Sequence, residues 1–406
     1  MARLLYLHQH FSTPAGSTAT RSHAQARALV RAGHAVTLAT GRFEGAVTGL
    51  DTPLRRGRRE GLVDGIRVVE FAIPYGNAMG LAARSLAFLR YAARATRLAA
   101  AEPWDAVIAS STPLTVALPA LEARRRHGTP FLFEMRDPWP ELPAALGLRA
   151  RPVLAAMGAL ADAACRRARR VVALSEGMAA IARGRGAAEV AVIPQGADLD
   201  LFGPQVAPWR PEGVGSHEIL AVYAGAHGAA NGLGLLLEAA RLLAARPPAA
   251  GGERRVRLVL VGEGAAKPAL VRQAEGLPNL TFLDPLPKRQ LAGLLAGAQV
   301  GLLCLAPVPE FAGHVAPNKL VDVLAAGLPV LSNLPGETAE LLAAHGAGET
   351  VGPRDAAGLA DALTRLADDP ARRRAMGEAA RALAMRRFDR RLLTARFVAE
   401  VEACLP

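Results

Sequence analysis

Short apolar runs alternate along this chain with stretches whose apolar positions recur every three or four residues. That is the pattern of strands buried on both faces and separated by amphipathic helices. In the first half the strand-like runs are Arg3–His8, His34–Thr40, Ile66–Phe71, Asp105–Ser110, Phe131–Glu134, Val171–Ser175 and Val190–Pro194. A helix is expected from Thr20 to Ala32, stopping at Gly33. Another starts at Thr112-Pro113, with a capping hydroxyl and a proline in the first turn. The second half repeats the plan with Ile219–Ala224, Arg257–Val261, Leu280–Leu283, Val300–Leu305 and Pro329–Ser332, and ends in helical stretches from Asp355 and from Arg390. The pattern predicts an α/β chain with two Rossmann-like, doubly wound parallel sheets. Pro194–His217 carries no clear period and is rich in Pro, Gly and Trp, as a linker would be. We expect an N-terminal domain over 1–200, a linker over 201–217 and a second domain over 218–385. A C-terminal helix over 386–406 is expected to pack back toward the first domain. Two such domains facing each other would make a central cleft, with ligands at the carboxyl ends of the strands.

At 406 residues, two domains are the reasonable expectation. Cys165, Cys304 and Cys404 lie far apart and in no metal spacing, which fits a reducing cytoplasm and disfavours zinc. The opening MARLLYLHQHF is too short an apolar run for a signal peptide. The longest uncharged stretch, Ile219–Leu237, is broken by Gly225, His227, Gly228, Asn231, Gly232 and Gly234, so it reads as strand, loop and helix. A cytoplasmic protein, soluble or peripheral at the inner membrane face, is expected. Residues 1–200 carry 26 Arg/Lys against 16 Asp/Glu, whereas the remainder carries 22 against 20, so +10 of the net +12 lies in the first half. Its basic clusters are Arg55–Arg59, Arg124–Arg126 and Arg166–Arg170. Either an anionic partner surface or a solvated arginine-rich face accounts for them. The stretch Gly80–Ala101 reads as a basic amphipathic helix with Arg90, Arg94 and Arg97 on one face, suited to an anionic membrane or to packing on its own sheet. Nucleic acid is disfavoured, because aromatics are scarce and not interleaved with the basic clusters.

The densest chemistry lies in Gly313–Leu331, GHVAPNKLVDVLAAGLPVL, read as loop, helix, glycine stop and strand. Pro317 suits a first helical turn and Gly327 a left-handed stop. Lys319 and Asp322 share a helix face near its N-terminus. They form either an exposed ion pair or a grip on a nucleoside diphosphate, the lysine and helix end meeting phosphate and the carboxylate a ribose diol. Gly225-Ala226-His227-Gly228-Ala229-Ala230-Asn231-Gly232 follows the first strand of the second half and leaves room for a diphosphate. Gly262-Glu263-Gly264 ends the next strand, and Leu283–Pro287 ends the third, where its backbone could meet a base edge. In the first half, Pro14–Thr20 is a small-residue loop leading into a helix, but not the GxGxxG fingerprint. Gly41 and Arg42 stand where a nicotinamide dinucleotide would require an acidic residue. Glu134, Arg136 and Asp137 crowd the end of a buried strand, with Glu141 beyond, a placement that suggests either chemistry or an internal salt bridge. Asp198-Leu199-Asp200 matches a metal-binding DxD pattern but sits in the linker and reads as a turn.

In their order, several segments resemble the retaining GT-B glycosyltransferases of family four, and most closely the WbuB-like branch that builds O-antigen and capsule-type polysaccharides. The matching pieces are Tyr6–Arg21, Ser111–Leu114, Phe133–Glu141, Ile193–Phe202, Tyr223–Leu233, Val261–Leu270 and Pro317–Val330, which together span essentially the whole chain. The resemblance implies transfer of a sugar from a UDP-sugar to a lipid-linked or saccharide acceptor, with retention and without a metal or other cofactor. It places Gly225, His227, Gly228, Asn231, Gly262, Gly264, Asn318, Lys319 and Leu320 around the donor. Asp322 would hold the ribose and Leu286 the base, while Gly16 and Ser17 would close on the diphosphate. Asp137 and Lys319 would be catalytic, with Glu134, Arg136 and Glu141 on the acceptor side. Many relatives carry two glutamates eight positions apart, where this chain has His314 and Asp322, and a lysine in the loop that here reads Ala229-Ala230-Asn231. A sugar-nucleotide 2-epimerase of the same fold, or a non-catalytic nucleotide-sugar-binding partner, are the alternatives.

Overall fold

The computed structural model describes residues 1–18, 20–76, 79–246, 255–314 and 317–406, with residue 314 described by its backbone alone. The chain forms two compact units. One comprises Met1–Gln195 and Arg391–Pro406, the other Gly196–Ala312 and Pro317–Arg390.

The first unit is built on β1 (Arg3–Leu7), β2 (Ala35–Phe43), β3 (Arg58–Val63), β4 (Ile66–Tyr75), β5 (Ala106–Ser110), β6 (Phe131–Met135), β7 (Arg170–Ala173) and β8 (Val190–Val192). Their order is β3-β4-β2-β1-β5-β6-β7-β8, parallel except for β3, which runs antiparallel to β4. The central strands are apolar throughout because helices cover both faces: Leu4 to Leu7 of β1 and all of β5 and β6 are buried. Strand β3 does not follow that pattern, and its sequence RREGLV was read above only as part of a basic cluster. As an edge strand it needs no continuous apolar run. The local signal for it was Asp64-Gly65, both left-handed (φ 51° and 81°), a pairing that favours a tight hairpin turn.

The second unit holds β9 (Ile219–Ala224), β10 (Val256–Val261), β11 (Leu280–Leu283), β12 (Val300–Leu303), β13 (Val330–Ser332) and β14 (Gly348–Thr350). The order is β11-β10-β9-β12-β13-β14, and every pairing is parallel. Strand β14 is only three residues long and offered no apolar run to detect.

Helix boundaries differ from expectation in two places. Thr112 does not cap a helix. Its hydroxyl bonds the Asp137 carboxylate, and a short 3₁₀ turn at Leu114–Val116 leads into the helix Ala117–His127. The C-terminal region contains three helices rather than two: Ala356–Asp368, Pro370–Arg387 and Arg390–Glu402. The first two are separated by Asp369-Pro370, where the aspartate side chain accepts from the Arg372 amide and the proline opens the next helix.

The last helix supplies Leu393, Phe397 and Val401 to the core of the first unit, together with Leu4, Tyr6, Leu29 and Ile193. Phe397 is fully buried and stacks on Tyr6, with ring centres 6.4 Å apart.

Several arginines of the basic clusters are ion-paired within the first unit. Arg59 reaches the buried Glu70 at 2.8 Å, Arg125 and Arg126 both bind Glu122, and Arg170 binds Glu400 at 2.8 Å. No helix among the described residues is long and apolar enough to cross a membrane.

Phe397→Ala removes a ring from the stacked core of the first unit and should destabilise it by roughly 3–5 kcal/mol. Urea unfolding followed by tryptophan fluorescence checks this; an unchanged transition midpoint would contradict the packing role of the C-terminal helix.

Candidate functional site

The second unit gathers most of the donor residues expected from sequence at the carboxyl ends of β9 and β10 and at the start of one helix. Lys319 lies in the first turn of the helix Asn318–Ala325. Pro317 is the residue before that helix rather than its first member, and Gly327 (φ 73°) ends the turn after it. The Lys319 ammonium donates to the Asn231 amide oxygen at 2.6 Å and to the Tyr223 hydroxyl at 2.9 Å, and stands 4.6 Å from the Tyr223 ring centre. No carboxylate among the described residues pairs with it. Burial therefore lowers its pKa to about 8, because desolvation disfavours the charged form and no counterion offsets it.

Around this ammonium the backbone is stripped of side chains for steric reasons. A Cβ on Gly225 would lie 2.8 Å from Lys319 Cε, and one on Gly262 would lie 1.9 Å from the Gly225 carbonyl oxygen. Gly264 is closed in the same way by the backbone of His227. The Gly225 and His227 amides are committed to Val261 and Glu263 carbonyls, whereas those of Ala226 and Gly228 donate to no described residue. At the helix start, the Asn318 and Lys319 amides are the donors that a helix leaves without intrahelical partners. The site thus presents one uncompensated cation and several free N–H groups, a combination suited to a diphosphate.

His227 takes a different part from the one its motif suggested. Its ring is fully buried, 6.1 Å from the Tyr223 ring and 6.0 Å from Phe282, and neither ring nitrogen has a partner. Burial lowers its pKa to about 4, and Lys267 adds to the effect, so it packs as a neutral ring. Asp322 does not pair with Lys319. Its Oδ2 accepts instead from Lys288 Nζ at 2.6 Å. Leu286, two residues before Lys288, has no described partner for its backbone N–H or C=O. The side chain of His314 lies outside the described residues. Asp198–Asp200 forms a turn in which the Asp198 carbonyl accepts from the Leu201 and Phe202 amides.

In the first unit Glu134 and Arg136 bond to partners from other elements and not to each other. Glu134 is 0% exposed at the end of β6. It binds Arg21 at 2.9 Å and Gln25 at 2.8 Å, and accepts from the Ser110 hydroxyl. Burial alone would raise its pKa, but Arg21, Arg136, Gln25 and Ser110 together hold it below the ordinary carboxylate value. It is a buried anion whose donors all come from the first unit. Arg136 pairs with neither Glu134 nor Asp137. It donates to His8 Nε2 at 2.9 Å, while His8 Nδ1 bonds the Ser110 carbonyl at 3.1 Å. Burial, with Arg136 adding to it, pushes the His8 pKa well below the ordinary histidine value, consistent with Nδ1–H donating and Nε2 accepting.

The Arg136 amide bonds Ser111 Oγ at 3.0 Å, and Asp137 holds Thr112, so the segments following β5 and β6 are fastened side by side. Glu141 is bound by Arg185, which also grips Asp162 at 2.6 Å. Gly16 fits because a Cβ there would lie 2.4 Å from Ser12 Oγ. The amides of Gly16 and Ser17 already donate to the carbonyls of Thr13 and Gly45, so neither is free for an anion in this arrangement.

Sequence reasoning missed Tyr223, Lys288 and His8. Tyr223 and His8 sit within or directly after buried strands, where their polar ends require partners, and that requirement was the available signal.

With this geometry in view, residues 16–196 match the family described as "Glycosyl transferase 4-like domain", and residues 218–369 match "Glycosyl transferases group 1". The chain belongs to the GT-B glycosyltransferases of group 1, family four. Among individual proteins, it is 31% identical over 205 residues to a D-inositol 3-phosphate glycosyltransferase of Kribbella flavida, and 28% identical over 203 residues to the enzyme of that name from Corynebacterium aurimucosum. These matches cover 48% and 47% of this chain and 46% of each relative, so the chain spans about half the length of the curated relatives it matches. The fold is also that of sucrose-phosphate synthase from Thermosynechococcus elongatus (TM-score 0.76, 17% identity, 99% of this chain and 98% of that one). The Anabaena protein HepE, solved in complex with UDP-glucose, matches over the full length of both chains at TM-score 0.67 and 19% identity. WaaG, a glycosyltransferase involved in lipopolysaccharide biosynthesis, matches at TM-score 0.67 and 16% identity over 98% of this chain and 99% of that one.

The depressed pKa of Lys319 sets a pH dependence. Its charge is present below about pH 8 and is lost as pH rises through that value, whereas a bound phosphate would hold the proton. UDP affinity should therefore fall about tenfold between pH 7 and pH 9 by calorimetric titration. Lys319→Arg, which stays charged, should flatten the profile; an unchanged slope would remove Lys319 from the anion site.

Proposed function

We propose that this protein is a retaining glycosyltransferase of the WbuB-like branch. It moves a sugar from a UDP-sugar to a lipid-linked or saccharide acceptor in cell-surface polysaccharide synthesis. The observation that carries this reading is the Lys319 ammonium, desolvated and without a carboxylate partner among the described residues, set beside free backbone amides at a helix start. An anion is what such a site lacks. That HepE was solved with UDP-glucose supports the donor class, and the involvement of WaaG in lipopolysaccharide biosynthesis supports the pathway.

In the mechanism we assign, the bond between the anomeric carbon and the diphosphate oxygen breaks as the acceptor hydroxyl attacks from the same face. The departing diphosphate takes the acceptor proton. Lys319, the helix start and the Ala226 and Gly228 amides stabilise the charge that develops on the leaving group, which is the work a metal ion does in other transferases. Asp322 and the Leu286 backbone hold the nucleoside, with Asn318, Leu320, Gly262 and Gly264 shaping the site. Asp137, anchored by Thr112, positions the acceptor. Arg136 stands beside it, while Glu134 and Glu141 act indirectly, by holding the segments that carry these groups. Gly16 and Ser17 approach the diphosphate only if their loop rearranges.

The helix Leu81–Ala101 exposes Leu81 (75%), Leu86 (48%) and Leu89 (57%) next to the exposed Arg90, Arg94 and Arg97. Apolar side chains flanked by uncompensated arginines suit an anionic membrane surface, where a lipid-linked acceptor would be found.

A UDP-release screen over many nucleotide sugars, with a lipid-linked acceptor pool, tests the activity. Release should depend on acceptor, and Lys319→Ala should lower kcat by roughly 10²–10³. Isomer formation without acceptor would indicate the epimerase instead. For the membrane role, Leu86→Asp with Leu89→Asp should reduce sedimentation with vesicles containing anionic lipid while leaving UDP affinity unchanged. Equal sedimentation would refute that role.

A further inference from the structure

Asp322 and Lys288 form an ion pair in the second unit. Lys288 opens the helix Lys288–Ala296. Its Nζ donates to Asp322 Oδ2 at 2.6 Å, and the two side chains are only 15% and 11% exposed. The same ammonium lies 5.2 Å from the ring centre of the buried Phe202, so it is held from two directions. Asp322 Oδ1, in contrast, receives no donor from any described residue. One carboxylate oxygen is anchored and the other left open. A pair this desolvated is stable only when its remaining lone pairs find donors.

Resting on the donor reading given above, we propose that Lys288 is a positioning residue at the nucleoside end of the site. It fixes the Asp322 carboxylate so that Oδ1 accepts from the 2′-hydroxyl of a ribonucleoside diphosphate. The aspartate is one methylene shorter than the glutamate of many relatives. Anchoring one oxygen sets where the other is presented, which a shorter side chain alone would leave to its own rotamers. Lys288 also lies two residues beyond Leu286, so base and ribose would be read from one short segment.

Calorimetric titration of the full chain with UDP and with 2′-deoxy-UDP tests this. The wild type should prefer UDP by about tenfold or more, the size expected for a hydrogen bond to a charged group. Lys288→Met should reduce that preference to within about twofold while the protein still melts cooperatively; if it does not, Lys288→Gln replaces it. Lys288→Arg should retain the preference. Asp322→Asn should abolish it, and the double variant with Lys288→Met should lose nothing further. The inference is overturned if Lys288→Met weakens both nucleotides by the same factor, or leaves the preference intact. Should the wild type bind neither nucleotide, the donor reading itself fails, which is a separate outcome.

Discussion

A fully buried carboxylate organises the first unit. Glu134 sits at the end of a central strand where desolvation opposes its charge, and it is tolerated only because three donors converge on it. Arg21 and Gln25 come from the first helix and Ser110 from the neighbouring strand. Arg21 goes on to bind the carbonyls of Ile193 and Pro194 at 2.9 and 2.6 Å, just beyond the last strand of this unit. Tyr6 completes the network through Gln25. One buried charge therefore ties together four separate parts of the chain. Losing a partner from such a pair typically costs about 3–5 kcal/mol, because the remaining charge is left buried and unpaired. Arg136 and Asp137, two and three residues after it, are presented on this fixed base.

The second unit solves the opposite electrostatic problem. Its buried ammonium has acceptors but no anion among the described residues, and its pKa is lowered as a result. Steric exclusion reinforces the arrangement, since any side chain at Gly225 or Gly262 would collide with the lysine or with the neighbouring backbone. The fold supplies amides and one cation, and leaves the negative charge to come from outside. A leaving diphosphate gains most from a site of this kind at the moment its charge increases.

Membership of family four accounts for two halves that share one plan, each a largely parallel sheet flanked by helices. It does not explain every charge. The arginine excess of the first half admits a polyanion partner or a solvated face, and individual arginines of its clusters are paired with Glu70, Glu122 and Glu400. What remains exposed on the helix Leu81–Ala101 is a smaller and more specific feature, because leucines accompany the arginines.

The strands buried on both faces were legible in the sequence as elements, though not in all their ends, because a parallel strand covered by helices must be apolar throughout. Ile219–Ala224 needed no adjustment, whereas β2 and β4 run on to Phe43 and Tyr75, three and four residues past their expected ends. The edge strand Arg58–Val63 was not legible as a strand, since it pairs on one side only and keeps its charges in water. The glycine loops and Lys319 could be singled out from composition and spacing, which record where side chains are forbidden and where a cation interrupts an apolar helix. Which charges pair was beyond such patterns. Lys319 and Asp322 are neighbours on one helix, yet each bonds to a distant element instead, Lys319 to Tyr223 and Asn231, Asp322 to Lys288. Arg136 likewise passes over Glu134 and Asp137 for His8. Local sequence thus determined the elements, through burial and backbone preference. Only the tertiary structure decided the ion pairs, because a charge taken out of water binds whichever partner the packed fold brings within reach.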